Sequence, residues 1–378
     1  MTPILDAVRR ARAARAASQP PVLSVVVPIY NVEAYLQTTL ESLSAQTFRR
    51  FEVVVVDDGS PDSSADIARA WAAKDRRFRV VRQDNAGPSA ARNTGIRHCV
   101  APYLTFVDGD DTLPPDAWKH MVEMLERTGS DLCVGKLVRD NGQRQFATER
   151  MERNHVADRE RLRIEQLPQI LADVFPVNKV YRRPFWDELQ LAFPEGLFYE
   201  DQPVMTKAFL AGTFDVLRET VYHYWIRADQ SSTTQLRHRI TDLSDRIVTK
   251  RMTVESVLAH GSDEVTRTFF DYVLPVDMWE YFRSVPQGSD EYWTMLRDAV
   301  REFWNPSTVP FEDVLVPVQQ RLMGWFVAQD RRSDLEALIA FLDEHGVVKA
   351  DVDGVQVFDH PWRTEPGIPP GCVVVDPR

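Results

Sequence analysis

Asp108 and Asp110, separated only by Gly109, follow directly on the apolar run Tyr103-Leu104-Thr105-Phe106-Val107. Such a run reads as a buried strand, so both carboxylates are expected at its carboxyl end, the edge where open α/β sheets bind ligands. Two carboxylates one residue apart suit a hard divalent cation, with Gly109 letting the backbone turn between them. A cation held there would neutralise a diphosphate. An ordinary turn is written with the same residues, so the reading depends on what surrounds them.

The elements that must position this pair are legible upstream. Leu23 to Asn31 and Phe51 to Ser60 read as two strands, nearly continuous in Val, Ile and Leu, as when both faces of a parallel sheet are covered. Between them, Glu33 to Gln46 carries Ala34, Leu36, Leu40 and Leu43 close to helical period. Asp57 and Asp58 are thereby expected at the same carboxyl edge. A helix from Ser64 to Ala73, a strand from Phe78 to Arg82 and the loop Asn85 to Gly95 complete a third unit. That loop brings small, polar and basic groups, Asn85 and Arg92 among them, to where phosphate or sugar would lie. Its plainer reading is a Gly/Pro turn with Arg92 in solvent.

Taken in order, Val27-Pro28-Ile29-Tyr30-Asn31, Val56-Asp57-Asp58-Gly59-Ser60, Asn85 to Gly95 with Ala91-Arg92-Asn93, and Phe106 to Asp111 resemble the family 2 inverting glycosyltransferases with the GT-A fold. The likeness continues through Asn178-Lys179-Val180-Tyr181, Phe198-Tyr199-Glu200-Asp201 and His223-Tyr224-Trp225, and covers residues 22–235. It implies a nucleotide-sugar donor, most simply a UDP-sugar, a divalent Mn2+ or Mg2+, and an acceptor hydroxyl.

The same resemblance distributes roles. Inverting transfer needs a base for the acceptor hydroxyl, and Asp201, opening a helix, takes that part, with Glu200 orienting the acceptor. A capping acid at a helix start is the plain alternative. Asp110 is the direct metal ligand, Asp108 bonds the ribose or reaches the metal through water, and His223 completes the set unless it is a packed core imidazole. Pro28 and Tyr30 border the base, and Asp58 accepts from its ring nitrogen or from ribose. Arg227, with Ser231 to Thr234 after it, is a loop able to close over the diphosphate. The pattern further resembles transferases acting on teichoic acid or capsular polymers, so a glycan or polyol-phosphate chain is the expected acceptor. Lys179, Arg182 and Arg183 would offer it positive charge.

Two rivals bear on this reading. A dinucleotide-binding fold also ends its second strand in an acid, but it needs glycines in the first strand-to-helix turn, and Pro28 to Tyr35 has none. A catalytically inactive carbohydrate-binding or scaffold protein on the same fold would not require a base and metal ligands together.

Composition sets the bounds. A chain of 378 residues exceeds the usual single domain, and its net charge of −11 excludes a general nucleic-acid binder. Three cysteines, Cys99, Cys133 and Cys372, cannot all pair and fit a reducing compartment. Without an apolar stretch of ~20 residues, the chain is expected to be cytoplasmic, at most touching the inner face of the membrane. Residues 1–21 read as a basic helix or tail, solvated or in peripheral contact with anionic lipid. Residues 22–235 form the expected α/β domain, and the polar stretch 139–163 is expected to be a mobile hairpin or loop. From 236 to 348 the pattern turns to amphipathic helices, Ile240 to His260, Glu264 to Val285, Asp290 to Trp304, Phe311 to Val327 and Ser333 to His345, and 349–378 is a tail with short strands.

Overall fold

The computed structural model describes residues 19–227 and 237–375. Most of the basic amino-terminal stretch and the hydroxyl-rich segment Ser231 to Thr234 therefore lie outside the described residues. The chain divides into two compact units, Met1–Gln230 and Ser231–Arg378.

The first unit is built on a nine-stranded sheet in the order β3-β2-β1-β4-β8-β5-β9-β7, with β6 paired to β5. Strands β1 (Leu23–Ile29), β2 (Phe51–Asp57), β3 (Phe78–Arg82) and β4 (Tyr103–Phe106) are parallel. Their valine runs are buried because helices α1 (Glu33–Ser44), α2 (Ser64–Lys74) and α3 (Gly87–His98) cover the faces. Beyond α4 (Ala117–Thr128) the sheet becomes mixed. Strand β8 (Lys179–Arg182) runs antiparallel between β4 and β5 (Leu132–Asp140), and β9 (Phe214–Trp225) lies parallel to β5.

The polar stretch 139–163, expected to be a mobile hairpin or loop, is organised. It forms β6 (Gln145–Phe146), α5 (Glu149–Asn154) and β7 (Arg159–Leu162), the last pairing with the edge of β9. Polarity misled because an edge strand and a short surface helix need few apolar residues. Two more helices, α6 (Arg183–Glu188) and α7 (Asp201–Ala211), complete the unit.

Register brings the strand ends together. Ile29 lies opposite Asp57 and Val26 opposite Phe106, and the ladder continues through Asp58 N–H to Ile29 O and Val107 N–H to Val26 O, both 3.0 Å. Asn31 then takes φ of +54°, the left-handed turn that a glycine fills in other strand-to-helix corners. Helix starts α1 and α2 cap one another: Glu33 N–H donates to Asp62, and Ser63 N–H donates to Glu33. Gly109 is needed less for turning than for closeness, since a Cβ there would meet Ile29 at 3.0 Å and Pro28 O at 3.3 Å.

The second unit carries the expected helices, with breaks where proline falls. They are α8 (Ile240–His260), α9 (Asp263–Thr268), α10 (Met278–Arg283), α11 (Asp290–Phe303), α12 (Val318–Ala328) and α13 (Arg332–His345). The single helix expected from Glu264 to Val285 is interrupted by a π turn at Phe269–Val273 and by Pro275. Pro317 likewise delays the start of α12. A hairpin, β10 (Lys349–Val352) and β11 (Val355–Phe358), follows. All three cysteines are free and buried, and among the described residues no helix is long and apolar enough to cross a membrane.

Helix α3 lies so close to β1 that a Cβ on Gly95 would collide with the side chain of Val26. Gly95→Val should therefore lower stability by about 1–3 kcal/mol through overpacking. A drop in the urea midpoint with unchanged slope is the expected reading; an unchanged midpoint would refute this contact.

Candidate active site

The site is assembled around one buried side chain, Arg92 on α3. Asp58 fixes the start of that helix: its carboxylate accepts from Ala86 N–H at 2.9 Å, Gly87 N–H at 2.8 Å and the Gln83 amide at 2.8 Å. Asp58 is almost fully buried, so in this structure it anchors the 83–87 loop, while Asn85 beside it is exposed. Ala91 packs inward, and Asn93 pins the chain 193–195, donating to Phe193 O at 2.8 Å and accepting from Phe193 N–H at 3.0 Å.

Between them, the Arg92 guanidinium fans across three acids. Nη1 donates to Glu200 at 2.7 Å and to Asp201 at 3.3 Å, and Nη2 donates to Asp108 at 3.0 Å, with the Phe193 ring 5.3 Å from its carbon. Loop entry into α7 is bent by Tyr199 at φ +67°, a conformation costly for a bulky residue and tolerated because it delivers Glu200 and Asp201 to Arg92. The plainer reading of a solvated Arg92 is thus corrected: packing by Gly95 and Asn93 turns it inward, where carboxylates meet it.

One guanidinium cannot neutralise three carboxylates. Burial, together with the charges of Glu200 and Asp108, pushes Asp201 up to about 8 against the opposing pull of Arg92. Its side chain keeps 27% exposure, enough for a ligand to approach. Glu200, by contrast, is buried, and Asp108 is 31% exposed.

The loop after β4 is clamped by β9. Asp111, buried, accepts from Tyr222 O–H and from Trp225 N–H, both at 2.7 Å, and Asp108 N–H donates to the Tyr222 hydroxyl at 3.1 Å. Thr112 and His223 exchange backbone bonds of 3.2 and 2.9 Å, so His223 is drawn alongside the acidic loop. Just past β9, Arg227 grips Asp110 through Nε at 2.9 Å and Nη2 at 2.7 Å, its guanidinium 5.2 Å from the Tyr35 ring. Burial first, then the neighbouring acids, raises Asp110 and holds Asp111 well above the usual carboxylate range. Burial lowers His223 against the opposing charge of Asp140, which favours its neutral imidazole.

The three expected acceptor-side cations are spent within the fold. Lys179 is buried and donates to Asp173 at 2.8 Å, Phe175 O at 2.6 Å and Asn178 at 3.0 Å, so it offers no charge to a polymer. Burial pushes up on Asp173, but Lys179 and His155 outweigh it and hold it at about 2. Arg182 pairs in register with Tyr103 at the start of β4, the sheet edge opposite Asp108, and spends its donors on Ser130 O, Tyr103 and Leu125 O. Arg183 bonds Asp187 and is likewise structural. Pro28 is half-buried and Tyr30 49% exposed at the end of β1.

Sequence reading missed Tyr222 and Phe193. Tyr222 is signalled only by its inward position in the alternation of β9, and Phe193 by nothing local. Oxygen donors Asp108 and Asp110 with a neutral imidazole are a chemical set that fits Mg2+ or Mn2+. Among the described residues, no three His, Cys, Asp or Glu side chains already stand together as a metal cluster.

Residues 24–189 match the family model for glycosyl transferase family 2. The uncharacterized glycosyltransferase EpsJ of Bacillus subtilis is 33% identical over 225 residues, 58% of this chain and 64% of that protein. Glycosyltransferase GlyA of Streptococcus pneumoniae is 33% identical over 239 residues, 60% of this chain and 34% of that protein. The chain thus spans less than two thirds of either relative. Among solved structures, S. aureus TarS 1-349 in complex with UDP-GlcNAc superposes with a TM-score of 0.67 at 22% identity, covering 89% of this chain and 96% of that one, a likeness of fold.

Arg92→Met would leave Asp108, Glu200 and Asp201 without their shared cation. At neutral pH it should cost about 3–5 kcal/mol, as when one partner of a buried ion pair is removed. The loss should shrink at acid pH, where the stranded acids take up protons. Denaturation measured at both pH values checks this; an equal loss at both would make the defect one of packing.

Proposed function

We propose that the chain, whose residues 24–189 match the family model for glycosyl transferase family 2, transfers a sugar from a nucleotide-sugar donor to a hydroxyl, with inversion at the anomeric carbon. The observation that carries this reading is the span of Arg92, which ties Asp108 at the end of β4 to the acid pair Glu200-Asp201. A group facing the donor phosphates and a group able to take a proton then stand within one guanidinium of each other, as a displacement across a bound sugar requires.

Asp201 acts as base. It accepts the proton of the acceptor hydroxyl as that oxygen attacks the anomeric carbon from the face opposite the leaving nucleoside diphosphate. Glu200 orients Arg92 and the acceptor. Asp110 and His223, with Asp108, would hold Mn2+ or Mg2+, which supplies positive charge to the departing diphosphate. Arg227 adds a guanidinium on the same side. Pro28, Tyr30 and Asp58 border the nucleotide, and the UDP-GlcNAc held by the S. aureus neighbour favours uridine. The acceptor is a cell-surface polymer, a teichoic acid or capsular polysaccharide, reached from the cytoplasmic side. That choice rests on motif resemblance, since Lys179 and Arg182 no longer support it.

A base raised to about 8 is protonated at neutral pH and must lose its proton to work. The kcat/KM for transfer should accordingly rise with pH through about 8 and level off above it. Asp201→Asn should remove that limb and cut the rate by roughly 10²–10⁴ with little change in donor affinity. Retention of near-normal transfer, or a product that keeps the donor's anomeric configuration by NMR, would show the displacement mechanism to be wrong.

UDP should protect the fold against heat in a Mn2+-dependent way, because a ligand bound only by the native state raises apparent stability. Asp110→Asn should abolish the metal-dependent part of the protection along with turnover. Undiminished turnover after chelation, or equal protection by ADP, counts against the metal or the uracil-selective pocket respectively.

A further inference from the structure

The hairpin of the second unit has one open edge with an unusual sequence. Strands β10 and β11 pair antiparallel through Ala350 opposite Val357 and Val352 opposite Val355, closed by the two-residue turn Asp353-Gly354 with φ of +52° and +82°. Positive φ at both positions is the hairpin-favouring turn, so the register is fixed. On the far side of β11 the chain returns: Val357 bridges Val374, Phe358 N–H donates to Val373 O, and Val375 N–H donates to Gln356 O. The carboxyl-terminal segment therefore covers β11. Among the described residues nothing pairs with the outer edge of β10.

Register decides which groups that edge presents. In a two-residue hairpin, Val352 and Val355 beside the turn exchange backbone bonds, and the bonded pairs alternate from there. Ala350 thus faces β11, as does Val348, whose carbonyl accepts from Asp359 N–H at 2.9 Å. Lys349 and Asp351 turn their N–H and C=O groups outward. An added strand must bond to those two residues.

Edge strands are usually guarded by charge. Here the guard is self-complementary. We propose that β10 is an interface for a second copy of this chain, the two strands pairing antiparallel about Ala350. That register is allowed by the alternation of bonding groups: Lys349 of one copy exchanges two backbone bonds with Asp351 of the other, and the same again by symmetry. It also sets each Lys349 side chain opposite an Asp351 side chain, whose exposed carboxylate accepts from Gly354 N–H at 3.0 Å and the Gln356 amide at 3.3 Å within its own hairpin, and Val348 opposite Val352. These valines are 37% and 43% exposed in the single chain. The neighbouring symmetric registers, centred on Lys349 or on Asp351, would face like charge with like charge directly across the ladder, which is unfavourable. Charge thereby selects one register and one partner, since an unrelated strand would need the opposite order of acid and base. The segment is short, so the contact falls below the roughly 1,000 Å² of a stable interface and the dimer forms with rising concentration.

Sedimentation velocity of the full chain over a concentration series tests this. Wild type should shift toward a dimer, while Asp351→Lys or Lys349→Asp, each placing like charges opposite one another, should weaken association by roughly tenfold or more. Mixing the two single variants should restore a dimer, because the first then presents two basic edge positions to the two acidic edge positions of the second. The double exchange, Lys349→Asp with Asp351→Lys, should dimerise as wild type does. A wild type that stays monomeric throughout, single variants that associate undiminished, or a mixture that does not recover would each overturn the proposal.

Discussion

Everything in the candidate site depends on a charge placed where water cannot reach it. Arg92 is buried, and its guanidinium joins α3, the end of β4 and the start of α7. Such a charge is tolerable only with excellent geometry, and the fold invests heavily in that geometry. Gly95 lets α3 sink onto β1, Asp58 holds the loop that launches the helix, Asn93 fixes the segment beneath it, and Tyr199 accepts a strained φ to bring the acids in. The string Ala91-Arg92-Asn93 is thus three jobs on adjacent helix positions: packing, charge and tethering.

A second constraint works from the opposite direction. The acidic loop after β4 has too many carboxylates to hold its own shape, and β9 supplies what it lacks. Tyr222 and the Trp225 N–H satisfy Asp111 by hydrogen bonding, the Thr112–His223 bridge extends the sheet by one rung, and Arg227 closes on Asp110. The acidic loop is therefore held by a strand some 110 residues later in the chain, which is why local sequence says so little about it.

The strands and helices of residues 22–128 were legible because their signals are local: valine runs covered on both faces, and apolar residues at helical spacing. Asp108, Asp110, Glu200 and Asp201 were legible by place, as acids at strand and helix ends, and the structure gathers them around Arg92 and Arg227. Arg182 failed for a topological reason. Strand β8 runs antiparallel, so a cation three residues along it moves away from the ligand edge, and no pattern in Asn178 to Arg183 reveals the strand's direction. Lys179, at the start of that strand, failed because Asp173, Phe175 O and Asn178 take up its buried ammonium. The burial of Arg92 was hidden for an electrostatic reason: in sequence it stands among small residues in a loop-like stretch, and the three acids that draw it inward lie 16, 108 and 109 positions away. Stretch 139–163 shows the converse, where polarity hides an edge strand that borrows its stability from β9.

Charge balance leads one step further on the proposed reading. Asp108, Asp110, Asp111, Glu200 and Asp201 converge on the site, and Arg92 and Arg227 are the guanidiniums that answer them among the described residues. The raised positions of Asp110, Asp111 and Asp201 share that cause: burial with too little positive charge. A nucleoside diphosphate would deepen the deficit if it entered alone, and a divalent cation would be welcome even without it. Cation and donor should therefore each raise the affinity of the other, since linkage makes such coupling reciprocal. With a cation beside Asp110, Arg227 would no longer be needed to hold that carboxylate and would become available to the diphosphate. On that reading the arginine that holds the acidic loop would be the same one that meets the donor, so that one ion pair would be exchanged for another instead of a bare charge being exposed at either stage.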